Sequence, residues 1–404
     1  MENWIKGLRA LAAAGILATA LATAALAQTP APLKIGVLTD LSGPYADSGG
    51  PGSVLAAQMA VADFGGTLKG RKIEIVAGDT LNKPDVASGV ARKWFDTEGV
   101  AAIVDLPVTP VAFAVHALAK QANKTVLITA AATSDLTSKM CMLQSVHWAD
   151  DTHALAAGTA KELLAGGAKS WQFIAVDIAF GAALVKEASD VVIAGGGTVT
   201  GTVRHPIGAA DYSSLLLQAQ ASKAQMIGLA SVGGDLVNVI KQSKEFAIGA
   251  DGSQSLVAFL VYITDIHALG LDVAQNLVVS SSLYWDQNEF ARAFAKRFMD
   301  VRKAMPTKNQ ASVYASVLHY LRAVEAAGTD EAAAVGIKMR ELPVDYFGRP
   351  AKVRSDGRVI FDLDVYRVKK KADSKGPWDY YAPVRKIPAA EAFLPVNVAV
   401  CGGG

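Results

Sequence analysis

From Leu33 onward, short apolar runs alternate with longer stretches of helical spacing. Residues 33–38 (LKIGVL) are a compact run that Asp40-Leu41-Ser42-Gly43-Pro44 breaks, because Gly and Pro interrupt regular structure. Residues 53–62 (SVLAAQMAVA) follow, Ala-rich and with good helix propensity. The order repeats, with strands predicted at 72–77, 100–104 and 125–128, and helices from Pro84 to about Glu98 and over 111–121. Pro in a first helical turn is tolerated, since its missing N–H would have no partner there. Strands alternating with helices of this length argue βαβ units and an α/β fold with a parallel sheet.

The pattern pauses near residues 144–148 and then restarts. After a helix at 154–164, the run 171–176 ends at Asp177, as the first ended at Asp40. Helices at 182–194, 212–221 and 235–246 alternate with strands at 198–203, 225–230, 255–259 and 277–280. The same layout therefore occurs twice, without a residue-level repeat. Helices then dominate (289–304, 312–327, 331–340), before a turn at 355–358 and short strands at 359–361 and 364–368. A helical block between two sets of strands implies that the chain re-enters the first unit and finishes on the second. Crossings are expected near 145–148, 281–286 and 345–362. In open α/β sheets ligands gather beyond the carboxyl ends of the strands, so the loops after these runs are where a site is expected.

Composition narrows the class. The 404 residues suffice for two domains, and 39 basic residues stand against 37 acidic ones, giving +2 at pH 7. That balance predicts no nucleic-acid partner. Lys6 and Arg9 precede an apolar stretch ending in Ala25-Leu26-Ala27, the pattern of a secretory signal peptide cleaved after Ala27. An exported, periplasmic protein is expected. In that compartment disulfides persist, so Cys141 and Cys401, the two cysteines, are predicted to pair and pin the tail to the body.

The segments IGVLTDLSGPYADSGG (35–50), LITAAATSDLT (127–137), AVDIAFGAALVKEASDVVIAGGGTVTG (175–201) and DYSSLLLQAQASKAQMIGLASVGGD (211–235) carry a resemblance. The chain resembles periplasmic solute-binding proteins of ABC importers, of the branched-chain amino acid (leucine/isoleucine/valine-binding) family, over essentially its whole mature length. The resemblance implies a type I periplasmic-binding-protein fold: two Rossmann-like lobes joined by three strands, closing like a flytrap on a small solute. It implies lobe one at 28–146 with 284–355, and lobe two at 147–283 with 356–404. It further implies delivery to an inner-membrane permease, no cofactor and a monomer.

Candidate site residues follow. Ser42 and Tyr45 sit in the loop after the first strand, where they would line the cleft mouth or merely cap the next helix. Thr133 and Ser134 precede Asp135 as N-cap residues do, and a helix start attracts an anion. By resemblance, Ala132 and Thr133 align with positions that hold a ligand carboxylate. Thr109 takes the place of a family hydroxyl in the loop after the third strand, although Val108 departs from the pattern. In lobe two, Phe180 aligns with an aromatic that covers the ligand. Asp177, Ser231, Asp235 and Asp265 are further candidates, Asp177 and Asp265 as partners for a ligand ammonium. Trp148 and Tyr284, at the crossings, are expected to reach the ligand from the hinge.

No H-E-x-x-H, C-x-x-C, P-loop or G-x-S-x-G occurs, so no enzyme chemistry or metal is predicted. The expected function is capture of an amino acid or an aromatic or aliphatic carboxylate by hinge closure, with an amide- or urea-type solute as the alternative ligand. A periplasmic ligand sensor and an exported hydrolase are the alternative classes.

Overall fold

The computed structural model describes residues 30–248 and 252–401. The predicted signal peptide lies outside the described residues. Strands β1 (Leu33–Thr39), β2 (Thr67–Leu68), β3 (Arg71–Asp79), β4 (Val100–Asp105), β5 (Thr125–Ile128) and β6 (Ser145–His147) form one sheet in the order β2-β3-β1-β4-β5-β6. All pairings in it are parallel except the β2–β3 edge. The second sheet has β7 (Ser170–Val176), β8 (Thr198–His205), β9 (Met226–Ala230) and β10 (Ser255–Ala258) in the order β10-β9-β7-β8, all parallel. These are the two Rossmann-like lobes expected from the alternating pattern.

The central strands are mostly apolar because helices cover both faces. β4 and β5 are buried along their whole length. Gly36 interrupts β1 for a steric reason: a Cβ there would lie 2.3 Å from the Trp94 ring. Trp94 itself opens a π-helical turn, Trp94–Glu98, that extends the helix Pro84–Lys93.

β11 (Val278–Ser281) forms an antiparallel sheet with β15 (Leu363–Val368) and β16 (Tyr381–Ile387). A second antiparallel sheet joins β12 (Val344–Tyr346), β13 (Arg349–Val353) and β14 (Val359–Ile360). The chain passes between the lobes after β6, after β11 and between β14 and β15. His147 and Arg358 form a lone parallel bridge where two of these crossings run side by side.

Elements with weak periodicity were missed by the sequence pattern: β2, β6, the β12–β13 hairpin and β16. Each is short or an edge strand, and edge strands need no continuous apolar run. Cys141 and Cys401 do form a disulfide, with Cα atoms 5.8 Å apart. The chain end departs from the expected division at residue 356. Asn397 donates to the Ser138 carbonyl at 2.9 Å, and the disulfide anchors Cys401 between β5 and β6. Asn397 and Cys401 therefore lie against lobe one, because the covalent bridge and this hydrogen bond hold them there.

Candidate ligand-binding cleft

Each sheet reverses its winding once, at β1/β4 in lobe one and at β7/β9 in lobe two. Helices leave to opposite faces at such a point, so the loops beyond the strand ends diverge and leave a crevice. The two crevices face each other. Between them is a narrow, tightly closed cleft. Lobe one lines it with Tyr45, Ser48, Pro107, Val108, Thr109, Ala130 and Ala132; lobe two contributes Ile178, Phe180, Val232, Leu260 and Tyr262. Every one of these follows the carboxyl end of a strand.

The Asp40 carboxylate builds the first wall. It accepts hydrogen bonds from the N–H groups of Gly43 (2.7 Å) and Tyr45 (2.9 Å) and from Asn82 Nδ2 (2.8 Å). This folds residues 40–48 into a tight loop and sets the Tyr45 ring in the cleft. The Tyr45 hydroxyl is buried without a partner among the described residues, and burial pushes its pKa up, with Asp235 and Asp40 adding to the effect. Thr109 begins the helix Thr109–Ala122, whose start has no side-chain cap and carries Pro at its second position. Its first N–H groups are therefore left open, and the Thr109 hydroxyl is buried and unpartnered. Beside it, the Ala132 and Thr133 N–H groups donate to no other group of the described residues. Hydroxyls and free N–H groups converging at one end of an otherwise apolar cavity suit a carboxylate.

Four predicted residues thus come together on the cavity: Tyr45, Thr109, Ala132 and Phe180. The others lie elsewhere. The Ser42 hydroxyl is on the surface, donating to Asp79 Oδ2 at 3.2 Å. Thr133 is buried, and its hydroxyl accepts from the Asp135 N–H at 3.4 Å, as an N-cap would. Trp148 packs edge-on against His319, 5.8 Å between rings, within lobe one. Asp177 faces solvent, 3.6 Å from Arg204. Ser231 Oγ lies 2.7 Å from His205 Nε2 and donates to it, since His205 Nδ1 bonds the Pro206 carbonyl. Asp235 is buried and accepts from the Tyr212 hydroxyl and the Gly208 N–H. Asp265 accepts from the Tyr262 N–H at 2.8 Å; burial raises its pKa to about 7. Tyr284 lines a separate small space with Trp285 and Tyr381, and its hydroxyl bonds the Trp378 carbonyl at 3.3 Å. In each of these cases a local partner takes the polar group or neighbouring rings enclose the side chain, so none of them borders the cavity.

Sequence reasoning missed Ser48, Ile178, Val232, Leu260 and Tyr262. The apolar ones are indistinguishable from core positions by pattern alone. A second, smaller space adjoins the cavity through Ala130, Ala132, Leu260 and Tyr262, and adds Asp150, Ser282, Lys308, Asn309 and Ser312. A broader groove on the outer faces of the helices Thr152–Ala165 and Ala179–Ala194, with His153, Lys161 and Glu187, is open and shares no lining residue with the cleft. The cleft is therefore the candidate site.

A family model described as periplasmic binding protein matches residues 32–375. The chain belongs to the periplasmic binding protein family. Members are the solute-binding components of ABC transporters, work in the periplasm and are not enzymes. A periplasmic binding protein from Burkholderia mallei is 43% identical over 92% of this chain and 98% of its own, with a TM-score of 0.89. A branched-chain amino acid ABC transporter periplasmic ligand-binding protein from Burkholderia xenovorans is 37% identical, over 90% and 97%, with a TM-score of 0.78. A solute-binding protein from R. palustris in complex with benzoate shares the fold at 19% identity, over 89% and 97%, with a TM-score of 0.79. A comparison with curated proteins gave no match. Among the described residues no group of side chains is placed to hold a metal, and no helix is long and apolar enough to cross a membrane.

Proposed function

We propose that this binding protein captures a small aromatic or apolar carboxylate between its lobes and presents the closed complex to an inner-membrane ABC permease. The observation that carries the reading is the cavity at the two facing switch points. Its wall is apolar and aromatic, through Phe180, Tyr45, Tyr262, Leu260 and Val232. Its polar groups, Thr109, the open helix start and the Ala132 N–H, are donors gathered on lobe one. No acidic side chain lines this space. An α-amino acid needs a partner for its ammonium, and neither Asp235 nor Asp265 borders this space. An acid without an adjacent ammonium therefore fits this wall better than leucine does, although a relative's name refers to branched-chain amino acids.

Closure is the working step: the ligand preferentially stabilises the closed arrangement. Lobe one seats the carboxylate, and Phe180 and Tyr262 cover the hydrocarbon and exclude water. Thermal-shift and calorimetric titration of the mature protein with benzoates, branched-chain amino acids, dicarboxylates and amides tests this. Binding of a benzoate or branched aliphatic acid is expected; binding of amides or amino acids alone would overturn it.

A further inference from the structure

The smaller space beyond the cavity is not built like the rest of the cleft. Lys308 and Asp150 form a buried ion pair there at 3.0 Å, with side chains 5% and 0% exposed. Lys308 Nζ also donates to the Ser280 carbonyl at 2.9 Å, and its ammonium stands 5.8 Å from the Tyr262 ring centre. Asp150 Oδ2 accepts from Lys308 and from the Ser282 N–H, whereas Asp150 Oδ1 is buried without any partner among the described residues. Asn309 repeats the arrangement. Its Nδ2 donates to Asp105 Oδ1 at 3.1 Å, which fixes the amide's orientation, and its Oδ1 is buried and unpartnered. Two acceptors without donors therefore belong to one small chamber.

Resting on the carboxylate reading above, we infer that this chamber receives a neutral hydrogen-bond donor, a hydroxyl, at the end of the ligand remote from its carboxylate. The direction follows from the wall. Thr109, Val108 and Phe180 border the outer cavity and not the inner chamber, Asp150, Lys308 and Asn309 border the inner chamber and not the outer cavity, and the two share Ala130, Ala132, Leu260 and Tyr262. The charge follows from the pair. Lys308 already balances Asp150, so a ligand ammonium would add a second cation beside the first. A hydroxyl satisfies an orphan acceptor without changing the charge. Discrimination of this kind is strong, because an analogue lacking the donor leaves buried acceptors unpaired.

The test compares 4-hydroxybenzoate with 4-methylbenzoate, nearly equal in shape, by calorimetry on the wild-type protein. The hydroxy acid is expected to bind at least tenfold more tightly. In the Asp150→Asn variant, where an amide N–H can replace the free acceptor, that ratio is expected to fall several-fold. An Asp150→Asn/Lys308→Met variant serves if the single change leaves Lys308 unpaired and the protein unfolded. Equal or tighter binding of the methyl acid overturns this inference and leaves the carboxylate reading standing. Binding of neither acid overturns this inference, and the carboxylate reading falls with it only if branched aliphatic acids also fail to bind.

Discussion

The Gly234 N–H, at the start of a lobe-two helix, donates to the Pro44 carbonyl of lobe one at 3.2 Å. The bond spans the cleft, so the structure is of the closed arrangement. It also shows how tightly the lobes meet at this edge. The preceding residue, Gly233, has φ +58°, and a Cβ on it would lie 2.8 Å from the same Pro44 oxygen.

Gly233→Ala is therefore expected to oppose closure. The backbone strain acts in both open and closed forms, but the clash with Pro44 exists only when the lobes meet. Overpacking of this kind costs about 1–3 kcal/mol, which is roughly 5- to 150-fold in affinity. Calorimetry should show weaker ligand binding, and solution scattering of the unligated variant should show a larger radius of gyration. Unchanged affinity would mean that this contact does not belong to the bound state.

Thr109→Val replaces an unpartnered hydroxyl by a methyl group of the same shape. If the hydroxyl meets the ligand carboxylate, affinity should fall by about 10- to 100-fold, as for a hydrogen bond to a charged group. The melting temperature of the empty protein should hold steady or rise slightly, since a buried orphan donor is removed. A ligand titration with no loss would place the carboxylate elsewhere.

Glu187 accepts a hydrogen bond from the Ser134 hydroxyl across the lobe boundary. Burial raises its pKa from 4.5 to about 7, the Ser134 bond opposes this, and Asp151 adds to it. For an acid whose folded value lies above its unfolded one, the protonated form is favoured in the folded protein. Its contribution is full below about pH 4.5 and is lost as the pH rises towards 7. The melting temperature of Glu187→Gln relative to wild type should thus climb over that window and level off above it. A difference that is flat or falls with pH would contradict the assignment.

The Cys141–Cys401 bridge closes a separation of 260 residues. Chain-entropy reasoning gives about 5 kcal/mol for a loop so long, and measured values are often smaller. Cys141→Ser/Cys401→Ser should lower the melting temperature by several degrees. Ligand affinity should change little, because neither cysteine borders the cavity. An unchanged melting temperature would show that the tail is held by its other contacts, such as Asn397 to Ser138.

Much of the site was legible in part. Tyr45, Thr109, Ala132 and Phe180 stand directly after apolar runs, and strand ends are where such folds keep their ligands. Asp177 and Ser42 stand at equivalent places in the chain yet turn to solvent or to a neighbour, because loop geometry rather than position aims a side chain. Asp40 was readable only as a strand terminator; its role in folding the loop under Tyr45 needs three hydrogen bonds, one of them from Asn82 in another loop.

The sequence by itself determined the two α/β lobes, since the alternation of apolar runs with helical spacing leaves few other ways to bury them. It also pointed to the disulfide, because two cysteines in one chain have a single intramolecular pairing. Only the tertiary structure decided the inner chamber. Asp150 follows β6, whereas Lys308 and Asn309 begin a helix more than 150 residues later in the chain. No local pattern marks such residues as partners; they meet because the chain crosses between the lobes and returns. Burial then leaves Asp150 and Asn309 each with one oxygen that no group of the described residues satisfies.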